Sequence, residues 1–254
     1  MTAEVEPDIY DKFTSLSPPP INSCRLSIRD KVFRKVINGE EEVLGRGNIK
    51  LVIVKTAPIS RMYYSEQYGT SGSTTPTCWS TNCNTGVPSP NVLPQNKQNV
   101  HCFDCKQNIK GSGSGHSLAC GFKQRLAVIL LDANDNLDNT HIFRLDVPSN
   151  SIFPKDPKKM SLRTYAKVLN TNKTALAALL TEVEFDDTVS VPKLLFKPAR
   201  ALERSELEIA YHVQKDEDTL KLVKLDFKPR SYTPINTDNV FEVVQGEGVY
   251  TRKT

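Results

Sequence analysis

Residues 125–132 read RLAVILLD, six consecutive apolar side chains from Leu126 to Leu131 held between Arg125 and Asp132. A short, unbroken apolar run bounded by charge predicts a strand buried on both faces, at the centre of a sheet. Downstream, residues 142–147, IFRLDV, alternate apolar and polar and are expected to pair with it across a polar loop of Asp and Asn. Upstream, residues 49–57, IKLVIVKTA, are rich in β-branched side chains and predict another strand. Residues 25–37, RLSIRDKVFRKVI, alternate over most of their length and predict a single strand with a bulge at the slip near Val32 and Phe33. Asn38-Gly39 has the chemistry of a hairpin turn, although the acidic run Glu40-Glu41-Glu42 suggests a longer loop before the next element.

Beyond the central run, Leu162, Tyr165, Ala166 and Leu169 recur at helical spacing behind Ser161, which predicts an amphipathic helix with Ser161 as its N-cap. Two strands follow at residues 177–185 and 193–199, then a helix at 202–213, with short extended pieces at 220–227 and 240–244. About six strands with few helices predict a mainly β fold, an OB-like small barrel that carries a long insertion. Pro18-Pro19-Pro20 makes residues 1–24 an extended N-terminal arm, because three prolines suit neither helix nor central strand. The barrel then spans residues 25–214, with the insertion at about 58–122. The C-terminal segment 215–254 belongs to the acidic end of the chain, where residues 201–254 hold eight Lys or Arg against ten Asp or Glu.

The whole chain of 254 residues has a formal net charge of +4, with 38% hydrophobic and 24% charged residues. Its 12 glycines and 16 prolines exclude a collagen-like or wholly disordered chain, and no run approaches the roughly 20 apolar residues that cross a bilayer. The N-terminus MTAEVEPDIYDKF has no apolar stretch of a secretory signal, so a reducing, cytosolic compartment is expected. In such a compartment clustered cysteines point to metal before disulfides. Five of the six cysteines, Cys78, Cys83, Cys102, Cys105 and Cys120, fall inside the insertion. Cys102-Phe-Asp-Cys105 sets two thiolates on one tight turn at a separation that suits tetrahedral zinc. The remaining ligands come from Cys78, Cys83 and Cys120, with His101 and His116 as nitrogen alternatives, while Cys24 reads as an apolar filler. Four thiolates would make the zinc structural, since a catalytic zinc keeps an open position.

Charge and aromatic residues collect around the same cysteines. Residues 61–130 hold Arg61, Lys97, Lys106, Lys110, Lys123 and Arg125 against only Glu66 and Asp104. Tyr63, Tyr64, Tyr68 and Trp79, the only tryptophan, lie in the same segment, with Phe103 and Phe122 beside cysteine positions. Basic residues interleaved with aromatic ones can track a phosphate backbone while stacking bases. The run Lys110-Gly-Ser-Gly-Ser-Gly115 lacks the order of a P-loop and reads as a flexible hairpin that still brings a lysine near phosphate. No catalytic motif stands out. Asp186-Asp187 follows a strand, but adjacent carboxylates there point to opposite faces, and a solvated turn is expected.

The residues on which these features fall resemble the single-stranded DNA-binding proteins of tailed bacteriophages. The similarity lies in Pro58-Ile-Ser-Arg-Met-Tyr-Tyr64, Cys78-Trp-Ser80, Pro94-Gln95, Cys102-x2-Cys105-x2-Asn108-Ile-Lys-Gly-Ser112 and Ala119-Cys120-x3-Gln-Arg-Leu-Ala127. It continues in Met160-x4-Tyr165-Ala, Thr181-Glu-x2-Phe185-Asp and Lys193-Leu-x-Phe-Lys-Pro198, and spans about residues 47–204. The resemblance implies an OB-like fold and sequence-independent, non-catalytic binding of single-stranded DNA in phage replication or recombination, in the cytoplasm of the infected host. It favours Cys78, Cys102, Cys105 and Cys120 as ligands of a structural Zn2+ and leaves Cys83 outside. Gly121 departs from the pattern, standing where a basic residue is expected. Arg61, Lys110, Lys123 and Arg125 are then the expected phosphate contacts, and Tyr63, Tyr64 and Trp79 the expected stacking faces. The acidic end would compete with DNA or recruit replication or recombination proteins. The competing expectation is a zinc ribbon that docks another protein of a replication complex.

Overall fold

The structure, a computed structural model, describes residues 24–65, 75–153, 156, 158–225 and 227. The N-terminal arm, apart from Cys24, lies outside the described residues, as do Tyr68 and the extended piece expected at 240–244. Ten strands and four α-helices are found among the described residues. In chain order the strands of the first half are β1 (Arg25–Arg29), β2 (Val32–Ile37), β3 (Glu40–Gly45), β4 (Ile49–Thr56), β5 (Ser60–Tyr63) and β6 (Cys78–Ser80). The second half holds β7 (Cys120–Leu131), β8 (Leu137–Pro148), α1 (Ser149–Ile152), α2 (Leu162–Thr171), β9 (Leu179–Phe185), β10 (Leu194–Ala201), α3 (Arg204–Lys215) and α4 (Glu217–Val223). The protein is mainly β, built on one curled, open sheet of order β10-β9-β4-β7-β8-β1-β2-β3, from which β5 and β6 branch at β7.

The apolar run at 126–131 lies at the heart of that sheet, as its composition demands. Leu126, Val128 and Leu130 face one core with Leu51 and Ile53 of β4, covered by Leu162, Tyr165 and Leu169 of α2. Ala127 and Ile129 face the other, with Val52 and Val54, covered by Ala210 of α3 and by Leu222 and Val223 of α4. Period-2 alternation in two apolar strands thus feeds two cores, one on each face. β8 pairs antiparallel with β7, as the sequence predicts. Register shifts in the β4–β7, β7–β8, β9–β10 and β2–β3 ladders add local twist and help to curl the sheet. The curl leaves an open groove of about 470 Å³ between the β2–β3 hairpin and β4, β7 and β8.

Ser161 caps α2, accepting a hydrogen bond from the Thr164 amide at 3.3 Å. The fully buried Tyr165 hydroxyl then meets Thr181 Oγ1 on β9 at 2.9 Å and ties α2 to the sheet. Tyr165→Phe would leave the Thr181 hydroxyl buried and unpaired, which costs about 1–3 kcal/mol. Urea unfolding should show that loss in the midpoint with an unchanged m-value; an unaltered midpoint would mean that the bond contributes nothing.

Several expectations need correction. Residues 25–37 are not one bulged strand but a hairpin, β1–β2, that turns at Asp30 and Lys31, with φ of 54° and 55°. Two consecutive left-handed residues make a tight turn whose usual Asn-Gly or Asp-Gly signature is missing here. The run Glu40-Glu41-Glu42 is no loop, since it opens β3 directly after the Asn38-Gly39 turn. Its charge is matched across the ladder by Arg34 to Glu41 at 2.9 Å and Lys35 to Glu42 at 2.8 Å. Residues 220–223 are helical, because Asp216 caps α4 by accepting from the Asp218 amide at 2.7 Å and Leu222 and Val223 are buried. Among the described residues no helix is long and apolar enough to cross a membrane.

Candidate metal centre and nucleic-acid interface

β5 builds the site because it pairs on both edges. Arg61, Met62 and Tyr63 stand opposite Ser80, Trp79 and Cys78 of β6, and opposite Phe122, Gly121 and Cys120 of β7. Directly opposed residues share a face, and successive residues alternate. Arg61, Tyr63, Cys78, Ser80, Cys120 and Phe122 therefore belong to one face, and Met62 and Trp79 to the other. A tight turn completes the first face. The Cys102 amide donates to the Gly86 carbonyl at 2.7 Å, where Gly86 sits at φ 65°, and the Asn108 amide donates to the Cys105 carbonyl at 2.8 Å. Ser112 locks the following loop, donating to the Gln107 carbonyl and accepting from the Ala119 amide, both at 3.0 Å.

These contacts set Cys78, Cys102, Cys105 and Cys120, the four cysteines that the resemblance favours, around one small cavity of about 20 Å³ that Arg61 and Tyr63 also line. Such a volume suits a single atom or water. Among the described residues no group of three or more His, Cys, Asp or Glu side chains is gathered tightly enough to hold a metal by itself. All six cysteines are free thiols. Burial pushes the Cys120 thiol up to about 12, with the neighbouring Arg61 charge opposing it and the other thiols adding to it. Burial likewise raises Cys78 and Cys102, while the Gln98 backbone hydrogen-bonds Cys78 and lowers it. Cys83 does not line the cavity but faces Arg61 from the 3-10 turn Cys83–Thr85. Cys24 packs against the first core. His101 is exposed, stacked on Phe103 at 5.3 Å, and His116 is exposed too.

The expected DNA contacts divide into two groups. Tyr64 and Lys123 lie together and half-buried, with the Lys123 ammonium 5.7 Å from the Tyr64 ring centroid, Tyr63 is half-buried on the cysteine face, and Lys110 is exposed. The other three turn inward. Trp79 is 3% exposed, packed against Met62, Val92 and Leu225 and edge-on to Phe227 at 5.3 Å, so it presents no stacking face. Arg125 is engaged by Asp146 at 2.9 Å and by the Lys224 carbonyl at 3.0 Å, where it fastens the end of α4 to the sheet. The Arg61 guanidinium lies 4.1 Å over the Phe122 ring, beside the cysteines. Each correction has the same cause. Strand parity and tertiary partners, which a polar segment does not display, decide which side chains face water.

Two residues that carry no sequence signal of their own extend the Arg61–Phe122 contact. Phe153, at the end of α1, meets Phe122 edge-on at 5.1 Å, and Arg163 of α2 lies 5.9 Å from the Phe153 centroid. A stripe of cation, ring, ring and cation thus runs Arg61, Phe122, Phe153, Arg163. Asp186 is not on a solvated turn as expected. It is 2% exposed, held by Lys159 at 2.6 Å and Lys193 at 2.8 Å, whereas Asp187 is exposed. Comparison with family models, with curated proteins and with solved structures returned no match to this chain.

Proposed function

We propose that the chain binds single-stranded DNA without sequence preference and without catalysis, acting in phage DNA replication or recombination. The curled sheet then serves as an OB-like scaffold, and a structural zinc ion holds the insertion. The observation that carries this function is the juxtaposition of half-buried rings with cations, Tyr64 with Lys123 and, separately, Phe153, edge-on to Phe122, with Arg163. Rings accept any base by stacking, and the cations beside them draw phosphate. The sequence resemblance to phage single-stranded DNA-binding proteins points the same way. For the metal, Cys78, Cys102, Cys105 and Cys120 are the residues that would hold zinc. Four thiols around a cavity of about 20 Å³ supply a tetrahedral donor set once drawn inward, and the ion would supply cross-links that a loop with little core lacks.

A labelled oligo-dT titrated by fluorescence anisotropy tests the function. Affinity should fall steeply with salt, by about 0.7 in the logarithm per phosphate contact for each decade of salt. Tyr64→Ala should weaken binding roughly 5- to 150-fold, the equivalent of about 1–3 kcal/mol of stacking. Absence of salt-dependent binding would overturn the proposal. A protein partner is favoured instead by one observation. The turn of the insertion exposes Val100 at 72%, Phe103 at 66% and Ile109 at 61%, apolar surface of the kind that docks proteins. Phe103→Ser separates the two, since it should leave oligo-dT affinity unchanged while removing that apolar surface.

A further inference from the structure

We infer that Arg61 is the buried countercharge of the cysteine centre, and not a contact to DNA phosphate. The inference rests on the zinc proposal for the same cavity. Zinc bound by four thiolates carries a net charge of −2, and a charge enclosed in a protein must be matched nearby. Arg61 lines the cavity together with all four cysteines. Its Nη1 is buried and has no hydrogen-bond partner among the described residues. An arginine nitrogen left in that state is costly, and a thiolate sulfur at the cavity wall is the acceptor it lacks.

The guanidinium is held in place on one side by a ring. Phe122, opposite it on β7, takes the ring stacking at 4.1 Å, and Ser80 stands opposite on β6. Among the residues that line the cavity Arg61 is the cation, so it is the positive charge that reaches inside. Its stacking on Phe122 also joins the metal cavity to the aromatic stripe, so loss of the metal would release the ring's partner.

Zinc affinity of the full chain, measured by competition with a chromophoric chelator, tests the inference through two variants. Arg61→Gln, which removes the charge, should weaken zinc binding at least tenfold, and Arg61→Lys, which keeps it, should stay within about threefold of the parent. With cobalt in place of zinc, the thiolate-to-metal absorption band should shift in Arg61→Gln and not in Arg61→Lys, a change that altered packing alone would not produce. Equal weakening in both variants would show that shape and not charge matters, and would overturn the inference. So would an Arg61→Gln chain that keeps its zinc affinity but loses about one phosphate contact from the salt dependence of oligo-dT binding. A parent chain that takes up no zinc would overturn the zinc proposal itself, a failure recognisable before either variant is made.

Discussion

Cys102→Ser is expected to abolish stoichiometric zinc binding and, with it, the ordered structure of the insertion. The reason is the composition of that segment. Between β6 and β7 the described chain has three 3-10 turns and few buried apolar residues, chiefly Val92, so cross-links must replace a core. Zinc binding to structural sites is worth about 10–16 kcal/mol in small metal-folded peptides, more than the stability of most domains. Removing one of four ligands should therefore free the segment while leaving β4, β7, β8 and β9 packed by their two cores. Limited proteolysis should cut the variant within residues 81–119 and spare the sheet, and treatment of the parent with a strong chelator should reproduce that pattern. Elemental analysis gives the decisive outcome. A full zinc complement in Cys102→Ser would remove Cys102 from the ligand set, and a metal-free parent purified under reducing conditions would remove the centre.

The second large effect lies at Asp186. Burial acts to raise its pKa, but hydrogen bonds from Lys159, Lys193 and Thr188 outweigh that and hold the carboxyl well below the usual carboxylate range. The Lys193 side chain is itself 8% exposed, so Asp186→Ala strands a buried ammonium and should cost about 3–5 kcal/mol. The sign of the pH dependence follows from the direction of the shift. A depressed folded pKa stabilises at pH values above the unfolded value, about 3.9, and the stabilisation is lost as pH falls through the lower folded value. The deficit of the variant should therefore be the same at pH 7 and pH 5 and shrink only in stronger acid. Urea unfolding across that range checks it, and a deficit that disappears by pH 5 would contradict the ion-pair account.

Asp186 also shows why part of the molecule was hidden from sequence. An Asp-Asp pair after a strand looks like a solvated turn, and its lysines come from residues 159 and 193, on either side of β9. The same holds for the proposed nucleic-acid surface. Tyr64 and Lys123 were legible as types in a basic segment, but Phe153 and Arg163 reach the stripe only through the packing of α1 against β7 and of α2 against α1. Trp79 fails as a stacking face because it follows Cys78 directly on β6. When Cys78 faces the cavity, period-2 alternation sends Trp79 to the opposite side, under Leu225 and Phe227.

By itself the sequence determined the periodic elements: the central strand at 126–131, its partners β4 and β8, the helix behind Ser161, and a cysteine set concentrated in one polar insertion. Those features are local, written in the spacing of apolar side chains and in turn residues, and local physics suffices to read them. Only the tertiary structure decided that residues 25–37 fold back on themselves and that β5 stands between β6 and β7. It also decided which of Arg61, Trp79 and Arg125 face inward. Each of these depends on which strand lies beside which, and a strand's neighbours are chosen by burial across the whole chain, not by the residues next to it.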